Sequence, residues 1–201
     1  MGARRYHVYV GRKADMSEPK PAVFLLHGSQ RTGASMIDMW ARVADQYGLV
    51  LIAPDSSSRK GWSGWFDPAS FFENLIDDAA TQYGLDRERL YLFGHSSGGV
   101  RATLLAQDGT LPFRAVATHA GFPSASKIDS GNGGRTPRRP ICHFLGDKDH
   151  LFSVEAAKAT SEALKDAGHD TLLMVVKNHT HWYYYVGPSI NEKAWWFFER
   201  H

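Results

Sequence analysis

Gly94-His95-Ser96-Ser97-Gly98 limits what this chain can fold into more than any other stretch. It follows the apolar run Leu90-Tyr91-Leu92-Phe93 and opens a segment, Ser97 to Gln107, that reads as a helix. A serine held on so sharp a strand-to-helix turn leaves no room for side chains two positions away, so glycine stands at both. The spacing selects Ser96 over Ser97, because centring on Ser97 would place His95 where a small residue is required. The pattern therefore predicts a strand delivering an exposed serine nucleophile to the start of a helix. The blander reading is a Ser/Gly-rich turn or a helix cap.

The rest of the chain agrees with that context. Short apolar runs alternate with helical patterns, which predicts an α/β fold with a mostly parallel sheet. Strands are expected at Arg5–Val10, Ala22–His27, Leu49–Ala53, Leu90–Phe93, Arg114–Thr118, Ile141–Leu145 and Thr171–Val176. Their continuous apolar character suits strands buried on both faces. Helices are expected where Ile37, Trp40, Ala41, Ala44 and Tyr47 share a face before Gly48, and where Leu75, Ile76, Ala79, Ala80 and Tyr83 precede Gly84. Others are expected from Val154 to Ala167, stopped by Gly168, and at the C-terminus, where Ile190, Ala194, Phe197 and Phe198 form the buried face. Ser70 to Glu73 and Ser189 to Glu192 read as capping boxes. Gly121 to Pro140 shows no periodicity. Its glycines at 121, 131, 133 and 134 and prolines at 123, 137 and 140 break helices, so little or no helical lid is expected there. Arg135, Arg138 and Arg139 in that stretch read as solvated surface.

A chain of 201 residues is read as one domain, 1–201, and its 43% hydrophobic content is that of an ordinary globular protein. Its net charge of +2 gives no field that favours nucleic acid or an anionic membrane. Runs such as Leu172 to Val176 are far short of a bilayer span, and the segment after Arg4-Arg5 lacks a leader's apolar stretch. A cytoplasmic location is expected. One cysteine, Cys142, excludes an internal disulfide and a multi-cysteine zinc site.

Serine nucleophiles need a base, an acid that orients it, and donors for the oxyanion. The strand ending Leu26-His27-Gly28 supplies an early loop, so the backbone N–H groups of Ser97 and Ser29 are the candidate donors, with Gln30 as the alternative to Ser29. The acid is sought after the strand Ile141–Leu145. Asp149 lies deeper in the exit loop than Asp147, closer to the next helix, and is favoured; Asp129 is a remote third. Lys177-Asn178-His179-Thr180-His181-Trp182 offers two histidines as base. A metal bound by the pair is not expected, because no Cys, Asp or Glu stands beside them at ligand spacing. His119 and His143 fall on or near strands, and His150, His169 and His201 read as exposed. Trp62, Trp65 and Trp182 are expected to line a substrate pocket, with core packing the competing reading for each ring.

Together these residues resemble the α/β-hydrolase superfamily, and within it the polyhydroxybutyrate-depolymerase and feruloyl-esterase-like group of serine esterases. The likeness runs through Arg5 to Val10, Leu26-His27-Gly28, Trp65, and Leu75-Ile76-Asp77. It continues through Asp86 to Tyr91, Gly94 to Gly99, Gly146-x-x-Asp149, His181-Trp182-Tyr183 and Ile190-Asn191. It implies an α/β-hydrolase fold: a mostly parallel sheet of about seven strands, helices on both faces, minimal or no lid. It also favours Asp149 and His181 over their neighbours. The implied activity is hydrolysis of small-molecule carboxylic esters through an acyl-enzyme on Ser96, with no cofactor or metal. An acyltransferase or thioesterase would use the same triad; a non-catalytic binding protein on this fold would have no use for all three residues. The residues leave the oligomeric state open.

Overall fold

The computed structural model describes residues 4–129 and 138–201. Its strands are β1 (Tyr6–Val10), β2 (Lys20–Leu26), β3 (Val50–Pro54), β4 (Leu85–His95), β5 (Ala115–His119), β6 (Ile141–Gly146) and β7 (Thr171–Val176). They form one sheet in the order β1-β3-β2-β4-β5-β6-β7. β1 runs antiparallel to β3, and every other neighbouring pair is parallel. Five helices accompany them: α1 (Gly33–Tyr47), α2 (Ala69–Tyr83), α3 (Ser97–Asp108), α4 (Val154–Asp166) and α5 (Gly187–Glu199). This is an α/β-hydrolase architecture, with every expected strand in place.

Successive strand side chains point to opposite faces, and here both faces are covered. On β2, Ala22, Phe24 and Leu26 join one apolar cluster, while Val23 and Leu25 join the other. β4 divides the same way, Leu90 and Leu92 against Tyr91 and Phe93. The first cluster takes in Phe72 and Ile76 of α2, Ala102 and Leu105 of α3 and Leu164 of α4. The second takes in Trp40 and Val43 of α1 with Ala194 and Phe198 of α5. The edge strands are the exception to burial on both faces: β1 is half-buried, and Leu172 and Val175 of β7 are 45% and 44% exposed. Each lacks a neighbour on one side.

Helix boundaries differ from the sequence expectation where proline intervenes. Ser70 does not cap α2. Pro68 holds the extended N-cap position, and the Phe71 N–H already donates to the Pro68 carbonyl. Ser189 does not cap α5 either, since the helix begins at Gly187 with proline in its first turn. The Ser189 N–H is spent on the Val186 carbonyl. Proline presets the helical φ and needs no hydrogen-bond partner, so it draws the start forward. The buried face of α1 is Gly33, Met36, Trp40, Val43 and Ala44; Ile37, Ala41 and Tyr47 are half-buried at its margin. In α5, Trp195 takes the buried position expected of Phe197, which is only half-buried.

Between β5 and β6 the described residues include one 3-10 turn, Ala125–Lys127, with Phe122 and Ile128 buried beside it. Gly131, Gly133, Gly134, Arg135 and Pro137 lie outside the described residues. Arg139 departs from the solvated-surface reading: it is half-buried and donates to the Leu111 carbonyl, whereas Arg138 is exposed. His169 is buried, not exposed, because its Nδ1 meets the Arg139 backbone. No helix among the described residues is long and apolar enough to cross a membrane.

The turn after β4 is closely packed. A Cβ built on Gly94 would fall inside the Gly98 peptide group. At Gly64 the nearest atom would be the end of the Arg101 side chain, 3.8 Å away. Gly94→Ala is therefore expected to lower stability by at least about 2 kcal/mol. Gly64→Ala should stay within about 0.5 kcal/mol of the parent. Urea unfolding of the two variants measures the contrast, and equal midpoints would contradict the crowding argument.

Candidate active site

Ser96 stands between β4 and α3 with φ 53° and ψ −119°, a conformation non-glycine residues rarely hold. The surroundings impose it. The Ser96 N–H donates to the His119 carbonyl at 2.9 Å, at the end of β5. Its own carbonyl accepts from the Val100 N–H at 3.1 Å. Gly121 passes so near that a Cβ on it would strike the Ser96 carbonyl. Strain of this kind persists only where packing over-determines it.

The structure brings Ser96, His181 and Asp149 into one hydrogen-bonded line. Ser96 Oγ lies 3.0 Å from His181 Nε2, and His181 Nδ1 lies 2.8 Å from Asp149 Oδ2. A carboxylate only accepts, so Nδ1 carries the proton and Nε2 is free to accept from the serine. The Asp149 side chain is fully buried. Its other oxygen accepts the Leu151 and Phe152 N–H groups at 2.8 and 3.0 Å, which stabilises the charge and fixes its direction. Asp147, two residues earlier, is exposed, with its N–H on the Val176 carbonyl. The Asp129 N–H binds the Gln107 side chain. The Phe152 ring stacks on His181 with centroids 5.9 Å apart.

The loop after β2 lies against this line. A Cβ on Gly28 would come 3.3 Å from Ser96 Cβ. The Gln30 N–H is engaged, donating to the Arg59 carbonyl at 2.7 Å, so that N–H is not free to receive an oxyanion. Ser29 is pinned through its side chain, Oγ donating to the Lys60 carbonyl at 2.9 Å. Gly61 fits between the two candidate donor residues: a Cβ there would lie 2.7 Å from Ser97 Oγ and 3.1 Å from Ser29 Oγ. Ser97 also begins α3, whose N-terminus favours negative charge.

The aromatic residues divide. Trp62 is half-buried, its Nε1–H donating to the His27 carbonyl at 2.8 Å and its ring set between His27 and Phe72. It braces the Ser29 loop from behind. Trp65 is 83% exposed and Trp182 46%. A cleft of about 400 Å³ opens beside Asp149, lined by Phe122, Leu151 and Phe152 among others. Sequence reasoning missed these three, because aromatic and aliphatic residues in loops carry no signature of facing a cavity.

It missed Asp67 as well. This carboxylate is wholly buried and accepts from Arg4, from the Ser57 N–H at 3.0 Å and from the Ser63 N–H at 2.8 Å. It ties together the loop that carries Trp62. A lone Asp before a proline was its only trace in the sequence.

His179 and His181 face different partners. His179 is buried, with Nε2 2.9 Å from His119 Nε2, and His119 Nδ1 lies 3.0 Å from His95 Nδ1. His95 Nδ1 also sits 3.3 Å from the His119 carbonyl, which can only accept. This orders the chain: His95 donates to His119, and His119 donates to His179. Such a chain works with neutral rings. Burial holds His95 down to about 3 and His119 well below its ordinary value. His143, bonded to Thr118 Oγ1 at 2.7 Å, is pushed down to about 4 by burial. His95 packs 5.3 Å, centroid to centroid, from His181.

A family model described as phospholipase/carboxylesterase matches residues 49–187, which include Ser96, Asp149 and His181. Feruloyl esterase B of Neurospora crassa is 30% identical over 149 residues, 68% of this chain and 49% of that protein. S-formylglutathione hydrolase of Mus musculus is 28% identical over 144 residues, 58% of this chain and 51% of its own. The chain thus spans about half the length, or less, of the curated relatives it matches. Among solved structures, esterase PE8 superposes with a TM-score of 0.75 at 18% identity, covering 96% of this chain and 97% of that one. An S-formylglutathione hydrolase from Agrobacterium tumefaciens gives 0.76 at 23% identity, covering 97% and 89%.

The buried imidazoles generate a pH dependence of stability. In the unfolded chain each titrates near 6.5, whereas in the fold His95 and His143 stay neutral to about 3 and 4. Between those limits the unfolded chain binds more protons, so acid favours unfolding. The contribution is complete above about pH 6.5 and is lost as pH falls, by up to about 1.4 kcal/mol per pH unit for each ring. Urea midpoints measured from pH 7.5 to 5 should fall steadily below 6.5. A flat profile there would contradict the assignment of neutral rings.

Proposed function

The chain belongs to the phospholipase/carboxylesterase family, and on that footing we propose that it hydrolyses carboxylic esters through an acyl-enzyme on Ser96. The observation that carries this reading is the continuous line Ser96 Oγ, His181, Asp149, at 3.0 and 2.8 Å. The ester carbonyl carbon meets Ser96 Oγ while His181 Nε2 takes the serine proton. Asp149 keeps the proton on Nδ1 and stabilises the imidazolium. The carbonyl oxygen, now an oxyanion, is received by the Ser29 and Ser97 N–H groups; one such donor is worth roughly 3–4 kcal/mol. The imidazolium then protonates the leaving alcohol. Water enters, loses its proton to His181, attacks the acyl carbon, and releases the acid and free Ser96.

The cleft beside Asp149 supports binding of a short or aromatic acyl group, with Phe122, Leu151 and Phe152 as its apolar walls. Trp65 and Trp182, both exposed, are proposed to meet the substrate outside that cleft. The likeness to feruloyl esterase B recommends a feruloyl ester beside short p-nitrophenyl esters in the first substrate panel. One domain, residues 1–201, carries all the groups this mechanism uses.

Two measurements test the reading. Ser96→Ala should abolish both ester turnover and covalent labelling by a fluorophosphonate, with folding retained, while Ser97→Ala keeps both because only its N–H is used. Labelling of Ser96→Ala would refute the nucleophile. His181→Ala should lower kcat by about 10²–10⁴-fold, since one imidazole carries both proton transfers. His179→Ala should cost activity only through packing. Steady-state kinetics on the two variants decides between them, and the reverse order would refute the base.

A further inference from the structure

Arg31 stands where the loop after β2 meets the segment that follows His181. Its guanidinium carbon lies 5.2 Å from the Trp182 ring centroid and 4.9 Å from that of Tyr184. On one side, the Arg31 N–H donates to the Gly28 carbonyl at 3.1 Å and closes the turn that carries Ser29. On the other, Trp182 directly follows His181. Arg31 is exposed and makes no ion pair among the described residues. Arg59 and Lys60, on the adjoining loop, are also exposed and also without an ion pair among the described residues. Their carbonyls hold Gln30 and Ser29. Stacking occupies the flat face of a guanidinium and leaves its N–H edge free to donate. Three cations without ion pairs around one loop also give this rim a field that draws in anions.

We propose that Arg31 anchors an anion-binding subsite on the leaving-group side of Ser96, so that the favoured substrates are esters or thioesters whose alcohol or thiol part carries a carboxylate. This rests on the ester-hydrolase reading above. The side follows from the proton transfer: the leaving atom takes its proton from His181, and the group it belongs to then extends along Trp182 towards Arg31. The acyl part has the apolar cleft on the other flank, since β2 and β5 border β4 on opposite sides and Phe122 follows β5. Arg31 supplies the directed contact, and Arg59 and Lys60 supply field.

The test compares kcat/KM for 4-acetoxybenzoate, whose leaving phenol is a carboxylate, with that for its neutral methyl ester. The ratio of the two is expected to fall about fivefold in Arg31→Gln, the size of a partly exposed charge pair. It should fall less in Arg31→Lys, which keeps the charge. In the unaltered protein the ratio should also fall as added salt shortens the Debye length from about 30 to 3 Å, a measurement that does not depend on any variant folding. A ratio indifferent to both substitutions and to salt overturns the subsite. Loss of activity in Arg31→Gln on mono-4-nitrophenyl succinate, whose carboxylate lies on the acyl part, with none on 4-acetoxybenzoate, overturns its placement. If the unaltered protein cleaves neither the methyl ester nor 4-nitrophenyl acetate, the hydrolase reading itself fails and the subsite falls with it.

Discussion

A serine at positive φ, held by the segment that leaves β5, is the constraint on which the rest of this structure depends. Ser96 holds its angle because the His119 carbonyl takes its N–H and Gly121 closes on its carbonyl. Such a turn cannot be made by local preference, since the conformation is unfavourable for any L residue with a side chain. It requires β5 to end beside β4, which in turn requires the parallel order of the central strands. The two apolar layers, packed on alternate residues of the same strands, secure that order.

Around this point the polar groups are arranged to fix loops rather than to form helices or sheet. Asp67 ties down the loop that carries Trp62; Trp62 holds the His27 carbonyl; the Arg59 and Lys60 carbonyls hold Gln30 and Ser29. A buried carboxylate is tolerated because an arginine and two backbone donors satisfy it. The benefit to the site is positional. A backbone N–H that must receive developing charge is useful only if it is already aimed.

The interior and the mouth use charge in opposite ways. Behind Ser96, His95, His119 and His179 are linked as neutral rings, because burial penalises the charged form of each. At the mouth, the Arg31 guanidinium lies against the Trp182 and Tyr184 rings and is open to water. A neutral floor under His181 and a cationic rim above it leave Asp149 as the carboxylate bonded to that ring.

The sequence by itself determined the seven strands, the αL glycines ending α1 and α2, and the choice of Ser96, because these depend on periodicity and local sterics that each segment carries within it. Gly48 and Gly84 end their helices in the left-handed conformation as the pattern implied. Asp149 was favoured over Asp147 by its deeper place in the exit loop, whereas His181 and His179 both followed the last strand as candidates for the base. Only the tertiary structure separated them, by turning Asp147 outward and His179 towards His119. It alone decided that Gln30 spends its N–H on Arg59, that Pro68 and the Gly187-Pro188 start displace the serine caps, and that Asp67, Phe122 and Arg31 border the site. Each of these depends on where a residue distant in sequence comes to rest, and no window of the chain contains that information.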